Sequence, residues 1–355
     1  MTSSRARALR SVSGSAFARA VIGTSSLIAA LALPVAAHSE PNEVIPVVDL
    51  AQDLATRTVD GAPALNGHNG QAALLRLRQG GLFGVVLPLH EPHPGRTSEV
   101  SAETAYLDLQ RSLTEPGPFH LPGCHRSGAR IDTWLSLDGA AELAQSPTKV
   151  ALWVTRGVRI FRLTGSADNE LAASFMHPNG QPDAGLSSRG AEVVRRIYAA
   201  SGVVDIGSLS TGARRDVLAL AAALHAPVVA IAANARAMAD DPRNLLDPEL
   251  RAVAASGGVV AASFDENRIV RGRTATLHDL VRQIRYLATV AGIEHVALAS
   301  GYEATRPPDG LETAARFPAL ARALLASGMS RGDVERIFHR NALRVLCPSA
   351  ASNRP

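Results

Sequence analysis

"PVVAIAANARAMADDPRNLLDPELRAVAASGGVVAASF", residues 227–264, carries two short runs of Val, Ile and Ala on either side of a polar, helix-forming stretch. Each run is apolar at consecutive positions, which predicts a strand buried on both faces. Strand, helix, strand is the unit from which parallel α/β barrels are built. In such a barrel the first of these strands would end on a side chain able to do chemistry. Here it ends in Ile231-Ala232-Ala233.

The same grammar runs along the chain. Strand candidates lie at 44–49, 82–89, 132–137, 158–163, 202–207, 227–232, 258–264 and 295–300. Amphipathic helical patterns fall at 69–79, 187–200, 211–224, 247–255 and 275–291, and "DVERIFHRNALRVL" (333–346) makes a final helix. Eight alternating strands and helices predict an α/β fold, a single (β/α)8 TIM barrel. An open doubly wound sheet is the alternative, but no G-x-G-x-x-G follows the first strand. Residues 90–130, rich in Pro, Gly and His, read as a long surface excursion.

The first 37 residues differ from the rest. Arg5, Arg7, Arg10 and Arg19 form a basic region without acids, and "VIGTSSLIAALALPVAA" follows as an apolar run. Val35 and Ala37 fit the small-residue pattern of a cleavage site, so 1–37 is read as a signal peptide and 38–355 as one mature domain. That run is at the short limit for a membrane span and contains Pro34, so no stable transmembrane anchor is expected. The reading places the protein in the periplasm or outside the cell. The net charge of +4 is carried by those four arginines. The mature chain is near neutral, which gives no argument for a nucleic-acid partner. Cys124 and Cys347 are the two cysteines. In an exported protein they are compatible with a disulfide or with two buried thiols.

Barrel chemistry sits at the C-terminal ends of the strands. Only the second strand ends on histidines, His90 and His93, and Pro92 and Pro94 beside them favour a solvated loop over a metal-chelating helix. No G-x-S-x-G and no Ser-His-Asp arrangement is found.

Over residues 44–346 the chain resembles the membrane (renal-type) dipeptidase family of metallopeptidases. The resemblance is carried by "GLSSRGAEVVRRIYAASGVVDIGSLS", by the 227–264 stretch, by "GVRIFRLT" and by "RNALRVL". It implies a barrel of the metal-dependent-hydrolase type with a binuclear zinc centre. Aligned singly, the functional positions are mostly substituted. The family's D-G-H-N-D corresponds to Asp49-Leu50-Ala51-Gln52-Asp53, so a metal-binding His is Ala51 and a metal-binding Asp is kept as Asp53. The bridging Glu of L-S-I-E-G is Asp138. The His ending L-T-L-T-H is Gly165, the His of D-L-S-H is Ser208, and the His of A-S-H-S-N is Ala232. The acid opening D-F-D-G is Gly301, which leaves no catalytic residue assigned. The arginine of P-R-N, which in the family grips the substrate carboxylate, is kept as Arg243.

Asp53 and Asp138 are weak remnant candidates for metal. Two carboxylates alone do not make a tight zinc site, so no cofactor and no binuclear site are expected. Each retained residue also has a structural reading. Arg243 would pair with Asp240 or Asp241 or cap a helix, Asp53 would serve as a turn or capping residue, and Asp138 would cap the helix after Gly139. Three functions stand side by side. One is a catalytically inactive homologue binding a peptide or other small-molecule ligand at the barrel mouth. Another is a hydrolase with an altered mononuclear centre that recruits a histidine of the strand-2 loop. The last is a structural or protein-interaction role. Oligomeric state is not readable.

Overall fold

The computed structural model describes residues 44–54, 70–90, 101–113, 117–124, 130–176 and 184–347. The leader assigned to 1–37 lies outside the described residues, as does His93. The described residues all belong to one compact unit, Val44–Pro355.

Eight parallel strands close into a barrel, as the alternation predicted. They are β1 (Val47–Asp49), β2 (Leu82–His90), β4 (Ile131–Asp138), β5 (Val158–Arg162), β6 (Val203–Asp205), β7 (Val228–Ile231), β8 (Val259–Ser263) and β9 (Val296–Ala299). Each pairs with the next in this order, and Asp49 of β1 against Leu298 of β9 closes the ring. The two-residue β3 (Phe119–His120) only borders the start of β4.

The consecutive apolar residues are explained by two cores. Side chains alternate across each strand, one set facing the helices and the other facing inward. Val48, Val86, Trp134, Ile160, Val229, Val259 and Ala297 fill the barrel interior, with Leu343 and Leu346 of the final helix packed among them. The outward set packs against helices whose ends are written in the sequence. Ser210 caps Thr211–Leu224 by accepting from the Ala213 amide at 3.1 Å. Thr276 caps Leu277–Ala291 with Asp279 reciprocating. Among the described residues the interior is therefore a packed plug, with a cavity above it at the strands' C-terminal ends.

Three expectations need correction. The first helix starts at Leu74, because Gln71 and Ala72 are drawn off to bond Glu303 at 2.7 Å each. The final helix is interrupted by a π-helical turn over Arg336–Arg340, followed by Asn341, whose buried amide donates to the carbonyls of Ile293 and Val296 at 2.8 Å each. The 90–130 region is also no mere surface excursion. It contains the helix Ala102–Leu113, which buries Ala102, Ala105, Tyr106 and Leu109. Tyr106 meets Trp153 edge-on, with ring centroids 6.0 Å apart.

Cys124 and Cys347 are joined in a disulfide. It ties the segment before β4 to the end of the final helix, at the closed end of the barrel. Among the described residues no helix is long and apolar enough to cross a membrane.

Candidate functional site

A cavity of about 890 Å³ occupies the open mouth. Asp53, Asp138, Gly165, Ser208, Ala232 and Gly301, which come from six different strand ends, all line it, together with Ala51 and Arg243. The alignment of positions made from the sequence therefore converges in space.

Three consecutive strands present a charged row at one level. In register, Asp138 of β4 faces Arg162 of β5, and Arg162 faces Asp205 of β6. On the far side of β4, His90 of β2 faces Asp138. Arg162 Nη1 donates to Asp138 Oδ2 at 2.6 Å and Nε donates to Asp205 Oδ2 at 2.8 Å. Burial works against the guanidinium's charge, but Asp138 and Asp205 outweigh it and raise its pKa. Asp205 is wholly buried; burial raises its carboxyl pKa, while Arg162 and the amides of Ile231 and Gly207 oppose the shift. The other oxygen of Asp138 accepts from Ser136 Oγ at 2.8 Å. Asp138 is thus an element of this row and not a helix cap; the helix Glu142–Gln145 has Ala141 at its N-cap, with no side-chain bond.

His90 departs from its reading as a solvated loop residue. It is the last residue of β2, half-buried, with Nε2 3.1 Å from Asp53 Oδ1 and Nδ1 3.9 Å from Asp138 Oδ2. Pro92 and Pro94, which suggested a loop, lie outside the described residues.

Among the described residues the Arg243 side chain makes no ion pair with Asp240 or Asp241, although its amide donates to Asp241 Oδ1 at 3.0 Å. Asp240 is taken by Arg236 at 2.8 Å and Asp241 by Arg271 at 3.1 Å. The Arg243 guanidinium lies 4.2 Å above the Phe175 ring, in the cavity wall. Burial lowers its pKa and Asp265 and Asp241 oppose that; an arginine stays charged throughout. Its loop is rigidly held from behind. Buried Arg214 donates to the carbonyls of Pro242 and Arg243 at 3.0 and 3.2 Å, and Asn244 accepts from the Asn234 amide at 2.8 Å.

Asp49, at the end of β1, is fully buried and its carboxyl is pushed up to about 6 by burial, against hydrogen bonds from Ser300, Gln52 and Ala51. Gln52 gives Nε2 to Asp49 at 2.8 Å, and its buried Oε1 has no partner among the described residues. Ala232 has φ of 55°, a left-handed conformation unusual for a residue with a Cβ. Its carbonyl accepts from Arg268.

The donors present do not fit a binuclear zinc site. Ala51, Gly165, Ala232 and Gly301 offer no side-chain ligand, and Ser208 Oγ is turned to the Thr164 carbonyl at 2.7 Å. Among the described residues, no three His, Cys, Asp or Glu side chains are grouped so as to hold a metal ion. Asp138, which would have to bridge two metals, has both oxygens engaged by Ser136 and Arg162.

The profile of membrane dipeptidases, peptidase family M19, matches residues 39–354. The chain belongs to the membrane dipeptidase family. Within that family it is 25% identical over 309 residues to the dipeptidase verJ of Clonostachys rogersoniana, covering 81% of this chain and 78% of that one. It is 37% identical over 176 residues to an uncharacterized protein in the pqqA 5' region of Klebsiella pneumoniae, a match covering 47% of this chain and 63% of that protein's length. The solved structure of the probable dipeptidase PvdM from Pseudomonas aeruginosa shares the fold. Its TM-score is 0.78 at 20% identity, and the match covers 86% of this chain and 95% of that one.

Arg162 and Phe175, at the mouth of this membrane dipeptidase family member, and Arg214, buried behind the Arg243 loop, were not singled out from the sequence. A signal existed for Arg162, which with Arg159 interrupts a strand of otherwise apolar residues. Phe175 and Arg214 act across loops distant in sequence, and neither had a linear marker.

Proposed function

We propose that this chain is a non-hydrolytic member of the membrane dipeptidase family that binds a small carboxylate-bearing ligand, such as a peptide, at the barrel mouth. The observation that carries the proposal is the contrast between the two sides of the cavity. On one side, imidazole positions are Ala51, Gly165, Ser208 and Ala232, and the acid position is Gly301. On the other, Arg243 is held on a braced loop with its guanidinium facing the cavity.

Family chemistry needs metal to lower the pKa of water and to polarise the peptide carbonyl. Ala51, Ser208 and Ala232 supply no imidazole for either task, and Gly301 has no group to handle the proton. Arg243 needs no metal to receive a carboxylate, which it matches with two parallel N–H donors. A second reading, a hydrolase with one altered metal centre, draws support from His90 beside Asp53. The ion pair that Arg162 makes with Asp138 weighs against it.

The proposal includes export to the cell envelope, supported by the leader-like residues 1–37 and by the Cys124–Cys347 pairing, which belongs to oxidising compartments. The test is calorimetric titration of a simple dipeptide into chelator-treated protein. Binding that Arg243→Met weakens by about tenfold or more, without turnover of the dipeptide, is expected. Turnover that depends on added metal sinks the proposal.

A further inference from the structure

Arg162 lines the cavity with N–H groups left over after its ion pairs are made. Nε and Nη2 both face Asp205 Oδ2 at 2.8 Å, and Nη1 donates to Asp138 Oδ2 at 2.6 Å. A guanidinium carries one N–H on Nε and two on each Nη. One N–H of Nη1 and one of Nη2 therefore have no partner among the described residues. Donors in a protein interior are ordinarily paired, and these belong to a side chain that is 22% exposed and lines the cavity. The two acids fix the guanidinium in place, so its remaining donors are already oriented when a ligand arrives. The position is the first Thr of the L-T-L-T-H pattern that ends at Gly165, so the guanidinium is not part of the pattern the chain resembles.

Arg243 lines the same cavity, and Arg162 is near enough for its charge to lower the pKa of Arg243. The two cations are not equivalent. Arg243 lies over Phe175, with the neighbouring acids engaged by Arg236, Arg271 and Arg268, and suits a carboxylate. Arg162 is flanked by two carboxylates that together outweigh its charge. A second anion there would be repelled by Asp138 and Asp205, whereas a neutral oxygen acceptor would not. We propose that Arg162 is a second ligand-binding residue of the mouth, donating to a neutral carbonyl oxygen of the molecule whose carboxylate Arg243 receives. This narrows the ligand to acyl carboxylates, namely N-acyl amino acids and peptides, in which an amide carbonyl stands a few atoms from the carboxylate. Donation to the carbonyl orients the ligand, and no bond is made or broken. The inference rests on the carboxylate-binding reading of Arg243 and names the second contact of that same ligand.

The experiment uses the full chain, treated with chelator, and three carboxylates of equal chain length and charge: pentanoate, 4-oxopentanoate and N-acetylglycine. The last two carry a carbonyl at the same position, and the ketone has no N–H and no bond to hydrolyse. Affinities are read by ligand-observed NMR titration on wild type, Arg243→Met and Arg162→Gln. Wild type should bind 4-oxopentanoate and N-acetylglycine about tenfold or more tightly than pentanoate, the margin of a charge-assisted hydrogen bond. Arg243→Met should weaken all three and preserve the margin. Arg162→Gln should erase the margin, whereas a purely structural role would weaken the three alike and keep it. If Arg162→Gln does not fold, Arg162→Gln with Asp205→Asn removes the stranded buried charge as well, and the same loss of margin is expected of it. A wild type that binds pentanoate as tightly as 4-oxopentanoate overturns this inference and leaves the carboxylate reading standing. So does a margin that survives in the folded Arg162 variant. A wild type that binds none of the three overturns both.

Discussion

Arg162 and Asp138, register partners on neighbouring strands, meet at 2.6 Å at the level where the metal-binding chemistry of a dipeptidase barrel would be assembled. The first prediction concerns a reconstruction. Restoring Ala51→His, Ser208→His, Ala232→His, Asp138→Glu and Gly301→Asp together should still load zinc poorly while Arg162 remains. Adding Arg162→Gln should improve loading on the order of tenfold or more. Gly301→Asp is the difficult member, since its backbone has φ of 63° and a new Cβ would come within 3.0 Å of Thr305. Metal content after dialysis reads the outcome. Equal loading with and without Arg162 would show the guanidinium to be irrelevant to the site.

Arg243 over Phe175 makes a prediction about binding alone. Arg243→Met should cost a bound dipeptide roughly 1.5–3 kcal/mol, the range for a charge-assisted hydrogen bond. Phe175→Leu should cost less, about 0.5–2 kcal/mol, because it removes the ring that positions the cation and leaves the charge in place. Neither should lower the melting temperature appreciably. The ratio of the two losses, measured by titration, checks the assigned roles.

Asp49 predicts a pH dependence. Its folded-state carboxyl sits at about 6 against an ordinary 3.8, so the folded protein holds this proton more tightly than the unfolded chain. The associated stability is complete below 3.8 and is lost as pH rises to about 6, amounting to about 3 kcal/mol. Asp49→Asn should flatten this part of the stability profile. It should also be tolerated, because Gln52 can turn its partnerless Oε1 to accept from the new amide. Urea unfolding across the acid-to-neutral range tests both statements, and an unchanged slope in the variant removes Asp49 as the source.

Ala232 is held left-handed at φ 55°. Ala232→Gly should therefore stabilise the protein by up to about 1 kcal/mol, the reverse of the usual effect of that substitution. Denaturant midpoints compare the two directly. A destabilised variant would mean the Cβ contributes packing that outweighs the backbone strain.

The barrel was legible because a parallel strand buried on both faces announces itself. All eight runs, from 44–49 to 295–300, contain barrel strands. The family was legible for a related reason. Much of what carries the 227–264 likeness is scaffold: the Asn234 amide donates to Asn244, and Arg214 grips the carbonyls around Arg243. These duties do not depend on which side chains line the cavity. His90 was obscured by Pro92 and Pro94, since a local rule about loops does not tell where a strand stops. The function of Arg162 depends on being flanked by Asp138 and Asp205, and that follows from sheet register, which no linear spacing reveals. The helix Ala102–Leu113 was hidden by the Pro, Gly and His residues on either side of it.

The central claim is that this membrane dipeptidase family member does not use the zinc chemistry of its relatives. Elemental analysis of protein purified without added metal and dialysed, paired with a dipeptide hydrolysis assay on the same sample, tests it most directly. The account predicts zinc well below one ion per chain and no hydrolysis above background, with or without chelator. About two zinc ions per chain that survive dialysis, together with hydrolysis that chelator abolishes, would contradict it.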